Sequence, residues 1–113
     1  MSKHVLISHH DERARHDFVL PGPDGTDGLE FSLPNIYFAT PEKMAKITAY
    51  EAKCKADDTA VDMDLELDMY IDAHLPKAMA TKVKNLTAGE RGQILSIIFE
   101  PVKLGESEAS SDS

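Results

Sequence analysis

Four histidines, His4, His9, His10 and His16, are the side chains of this sequence best suited to hold a metal ion. Imidazole nitrogen binds zinc, and adjacent histidines can chelate one ion. A zinc site wants further ligands at defined spacing, as in CxxC pairs or the helical HExxH pattern, and the sequence contains neither. The histidines therefore read as part of a solvated polar arm, and no metal or other cofactor is expected. The acidic run Asp57-Asp58, Asp62, Asp64, Glu66, Asp68 and Asp72 could supply paired carboxylates for proton transfer, or oxygen ligands for calcium. A calcium loop requires a glycine at its sharp turn, and this run has none. A solvated acidic face is the expectation, with docking of a basic partner as its second use. Cys54 lies between Lys53 and Lys55, cations that could lower a thiol pKa. No redox or nucleophile motif surrounds it, so a small buried apolar side chain is the plainer reading. A G-x-S-x-G elbow and a glycine-rich phosphate loop are both missing. Together with small size and the absence of Trp, these observations favour a binding protein over an enzyme, and no catalytic residue is assigned.

Elements must position whatever these residues do, and composition limits them first. The 113 residues suit one domain with a modest core. Apolar residues make up 42% and aromatic residues 6%, so the core must draw on Leu, Ile, Val, Met and Ala. A net charge of −8 opposes binding to nucleic acid, where cations must replace counterions, and to an anionic membrane surface. No apolar run approaches the about 20 residues that span a bilayer. Val5-Leu6-Ile7 is too short for a signal-peptide core, so a cytoplasmic location is expected.

Along the chain, residues 1–30 read as an irregular arm. Within it, Phe18-Val19-Leu20, a turn rich in Pro, Gly and Asp, and Leu29-Glu30-Phe31-Ser32-Leu33 suit a small β-hairpin. Thr40-Pro41-Glu42 is a helix start, and Met44, Ile47, Tyr50 or Glu51, and Cys54 recur on one face, which predicts a helix over 41–56. Residues 61–72 alternate apolar and acidic positions in the manner of a strand. Asp and Glu are poor strand residues while Leu, Met and Glu favour helices, so helix is preferred. Pro76 breaks the chain, and a short helix follows over 77–86. Thr87 and Glu90 fit a capping box that opens a helix carrying Ile94, Leu95, Ile97, Ile98 and Phe99. Residues 105–113 are small, polar and acidic and predict a disordered tail.

The C-terminal third, a capped apolar helix followed by Val102-Lys103-Leu104-Gly105-Glu106-Ser107-Glu108-Ala109-Ser110, resembles the tail assembly chaperones of long-tailed, siphovirus-type phages that infect actinobacteria. Phe31-Ser32-Leu33-Pro34 is similar to the short Pro-ended strand that opens many of them. The resemblance implies a nearly all-α, non-enzymatic protein of the host cytoplasm that coats the long tape measure protein until the tail tube polymerises around it. It also implies a frameshifted longer form that recruits the tail tube protein.

The expectation is thus a mainly α fold. It comprises a helical domain of about four helices over 31–104, an arm with a short hairpin over 1–30, and a disordered tail over 105–113. Client binding is assigned to Ile94, Leu95, Ile97, Ile98, Phe99, Met63 and Leu67, as apolar faces open to a partner. Met44, Met63, Met69 and Met79 would be adaptable contacts. A homo-oligomer is compatible with this reading; nucleic acid and membrane are not expected partners. The alternatives are an acidic helical adaptor or oligomeric structural protein, and an acidic mimic of nucleic acid.

Overall fold

In the computed structural model, which describes residues 3–23 and 28–102, side-chain caps set most helix boundaries. Thr40 accepts from the Lys43 amide and Pro41 takes the first helical position, so α1 runs Pro41–Ala56. Its far end closes through a left-handed Asp58, φ 56°. The Thr59 amide donates to Cys54 O and the Asp58 amide to Lys55 O, the paired bonds of a Schellman close. Asp62 accepts from the amides of Asp64 and Leu65 and opens α2, Met63–His74. The Asp62 amide itself donates to the Tyr50 hydroxyl at 2.8 Å, which fixes the start of α2 to α1. Pro76 precedes α3, Lys77–Lys84, without a side-chain cap. The expected capping box opens α4, Ala88–Ile98, with both the Thr87 and Glu90 bonds in place.

The alternating stretch is helical. Residues two apart on a helix point about 200° away from each other, so strict alternation sorts nothing onto a single face. Leu67, Tyr70 and Ile71 are buried, while Met63 and Leu65 remain exposed. The acidic run is correspondingly not one solvated face. Asp62 caps α2, Asp64 and Asp68 pair with Arg91, Asp72 pairs with Lys84, and Glu66 is 6% exposed.

The hairpin joins β1, Arg15–Leu20, to β2, Leu29–Pro34, antiparallel and in unbroken register from Arg15↔Pro34 to Leu20↔Leu29. His16, Phe18 and Leu20 share the inner face with Leu33, Phe31 and Leu29; Arg15, Asp17, Val19 and Glu30 are exposed. Phe18 and Phe31 stand opposite and stack at 5.1 Å. A Cβ on Gly28 would overlap the Leu20 carbonyl and lie 2.6 Å from the Gly22 nitrogen, so the hairpin neck admits only glycine there. The division expected at residue 30 falls inside β2, whose Phe31 and Leu33 belong to the common core with Ile47, Leu67, Ile71, Val83, Ile94 and Ile98. A hairpin is marginal alone, and packing on the helices is what stabilises it. The expected tail, residues 105–113, lies outside the described residues.

Three buried polar side chains knit the layers together. The Tyr70 hydroxyl donates to Pro34 O at 2.6 Å, joining α2 to the end of β2, and burial raises its pKa. Asn35, fully buried, receives the Tyr37 amide on its side-chain oxygen. Its Nδ2 donates to Glu100 O at 2.6 Å and lies 3.1 Å from His16 Nε2, while its own amide donates to Ala14 O. Arg91 donates to Lys84 O and Asp64 O and lies 2.9 Å from Asp68, so one guanidinium joins α4, α3 and α2. The result is a small helical domain with an N-terminal hairpin. No helix among the described residues is long and apolar enough to cross a membrane.

Candidate protein-binding groove

A two-stranded sheet leaves each strand one unpaired edge, and among the described residues β1 pairs only with β2. Among the described residues, the backbone of 16–20 pairs with β2 and forms no backbone hydrogen bond to any other element. A groove of 270 Å³ lies between this strand and α4. Phe18, Leu20, Phe31, Leu86, Ile94 and Ile97 supply its apolar lining, and Asp17, Glu90 and Gln93 its polar one. Val19 also lines it and is 66% exposed; Ile97 on the facing helix is 37% exposed. The lining holds two carboxylates and no Lys or Arg, so the groove is both apolar and anionic. One oxygen of each carboxylate is already engaged, Asp17 with the Ser32 hydroxyl and Glu90 with the Thr87 amide. Each retains further acceptor capacity.

The structure separates the side chains expected to meet a partner. Ile94, Ile98 and Leu67 are buried in the core, and Leu95 is half-buried against it. Ile97 and Phe99 stay exposed on or just beyond α4, and Met63 is exposed in the first turn of α2, away from the groove lining. The reason is geometric. At about 100° per residue, apolar side chains at five of six successive positions cannot all face one core. Ile94 and Ile98, four apart, take the inner side and leave Ile97 at the rim. The sequence reading missed the strand half of the groove, Phe18, Val19 and Leu20, although the hairpin that carries them was expected. The available signal was Val19: an apolar residue at an outward position of an alternating strand.

Other sites suggested by residue type are not assembled. His4, His9 and His10 are exposed and His16 is half-buried beside Asn35. Among the described residues, no group of three or more His, Cys, Asp or Glu side chains is placed to hold a metal ion. Cys54 is buried in the inner face of α1. A second depression, beside Pro34, Phe38, Lys43 and His74, holds a histidine whose pKa is lowered by burial, against the opposing bond to Tyr70 O. Thr40, the hydroxyl in that depression, is engaged in capping α1.

Comparison with protein families, with curated proteins and with solved structures finds no match for this chain.

Proposed function

We propose that this chain is a non-catalytic protein-binding module whose groove between β1 and α4 receives an apolar segment of a client polypeptide. The observation that carries the reading is the juxtaposition of an unpaired strand edge with exposed Val19 and Ile97, above a lining of buried and half-buried apolar side chains. Main-chain bonding at a strand edge supplies affinity, and adjacent apolar pockets supply selectivity. The acidic surface keeps the free module soluble while its apolar groove is open. The resemblance of residues 102–110 to tail assembly chaperones makes the tape measure protein of a long-tailed phage the first client to examine, in the cytoplasm of the infected host. A longer frameshifted form would then recruit the tail tube protein.

Co-expression with a tape measure protein tests this. The intact chain is expected to raise the soluble fraction of the client and to co-purify with it. Val19→Asp and Ile97→Asp, both at exposed positions, are expected to abolish the effect while the variants remain folded. Equal rescue by these variants would move the client off the groove.

A further inference from the structure

The groove has a complementary strand within the same sequence. Residues 3–10 read Lys-His-Val-Leu-Ile-Ser-His-His, with no acidic side chain in a chain of net charge −8. Val5 is 94% and Leu6 84% exposed. Among the described residues, 3–7 form no hydrogen bond with the rest of the fold. Two adjacent aliphatic side chains left in water, with Ile7 beside them only half-buried, are an anomaly in a folded chain, and Val, Leu and Ile suit an extended strand. The opposite anomaly is the strand edge at β1, where Phe18-Val19-Leu20 carries no Lys, Pro or bulge to block pairing. In its own chain residues 3–10 do not line the groove. The Asp11 amide holds Ser8 O in a turn, and His9 lies beside Pro34 and His74, outside the groove lining.

We infer that residues 3–8 of one copy dock as a third strand on the β1 edge of a second copy, with the aliphatic residues in the groove beside α4. Charge supports this pairing, because Lys3 flanks the aliphatic segment and Asp17 and Glu90 line the groove. Each copy gives one arm and accepts one, and when two copies exchange arms reciprocally both edges are filled, which makes a twofold dimer the smallest closed arrangement. The occupied groove would have to release its arm before a client could enter.

The test uses the full chain alone, so its outcome is independent of any client. Sedimentation of the intact chain at increasing concentration is expected to show a monomer–dimer equilibrium. Leu6→Asp in the arm and Ile97→Asp in the groove are each expected to weaken dimerisation by about 100–10,000-fold, because one aliphatic side chain lost from an apolar site is worth about 10–100-fold and the twofold dimer carries each substitution twice. Mixing these two variants should give a one-to-one heterodimer tighter than either variant's homodimer and weaker than the wild-type dimer, because one arm–groove contact is then intact and both substitutions fall in the other. A free peptide of residues 3–8 should compete and perturb the amide resonances of β1 and α4. The same peptide N-methylated at alternate residues on its pairing edge should not. A dimer indifferent to both substitutions would overturn the inference. So would a strictly monomeric chain, whether its arm stays free or folds onto its own β1, and so would equal competition by the N-methylated peptide.

Discussion

Replacing Glu66 by Gln should stabilise this fold above neutral pH and leave it nearly unchanged in acid. Glu66 lies on α2 with 6% of its surface exposed, and its Oε2 has no hydrogen-bond partner. Burial raises its pKa from 4.5 to about 7, and a hydrogen bond and like charge from Glu51 on α1 add to the effect. Two carboxyl groups can share a hydrogen bond only while one is protonated. In the unfolded chain Glu66 ionises near 4.5, so below that pH neither state carries its charge and the fold bears no penalty. Between about 4.5 and 7 the unfolded state ionises and the folded state does not, so stability falls as pH rises through this window. A rise of this size corresponds to at most about 3 kcal/mol. Glu51 is exposed, and solvent screening reduces the figure to about 1–2 kcal/mol. His74 works in the other direction. Its lowered pKa costs stability as pH falls below 6.5, so the wild-type profile alone mixes two slopes. The difference between Glu66→Gln and wild type cancels the His74 contribution. Urea denaturation at pH 4.5, 6 and 8 is the assay. The variant's advantage should grow from near zero to about 1–2 kcal/mol across the series. A difference independent of pH would refute the reasoning, since a simple packing change has no such profile.

Backbone geometry supplies three further expectations. Gly28→Ala should destabilise the hairpin by about 1–3 kcal/mol, read as a lower melting temperature and faster amide exchange in β1 and β2, because its Cβ meets the Leu20 carbonyl. Asp58→Gly should stabilise the chain by about 0.5–1 kcal/mol by relieving the left-handed strain at φ 56° that closes α1, which thermal denaturation would register. Gly92→Ala in α4, where a Cβ meets nothing within 4 Å, should add about 1 kcal/mol of helix propensity; an unchanged or lower melting temperature would contradict it.

What was legible in the sequence followed from local chemistry. Thr40-Pro41 marks the start of α1 and Thr87 with Glu90 the start of α4, because caps act within one helical turn. The hairpin was legible through its turn composition and its two apolar flanks. Residues 61–72 were ambiguous from their alternation, and propensity pointed to the helix that forms. Long-range pairings left no such local trace. Nothing beside Asn35 marks it as the joint between Ala14, His16 and Glu100, since these partners meet only after the hairpin packs on α4. Arg91 is similar: the acidic residues it holds lie on another helix, so Asp64 and Asp68 read as a free charged face until α2 and α4 come together. The division of the Ile94–Phe99 apolar cluster between core and rim likewise depends on which side of α4 the hairpin covers.

These joints bear directly on the groove. Its two walls, β1 and α4, come from opposite ends of the chain, and a loose hairpin would make the cleft between them transient. Asn35 prevents that by bonding to Glu100 O just past α4 while its ring neighbour His16 sits on β1. The Phe18–Phe31 stack then holds the strand's inner face against the common core. An edge strand fixed in this way is a pre-ordered template, which lowers the entropy cost of docking a strand and equally raises the hazard of unlimited edge-to-edge assembly. Charge and closure meet that hazard together. Asp17 and Glu90 at the groove disfavour most segments of so acidic a chain, while residues 3–8, free of acidic side chains, remain acceptable. Each copy has a single such arm, so in the arm exchange proposed above a twofold pair would use both donors and both edges and leave no growing end.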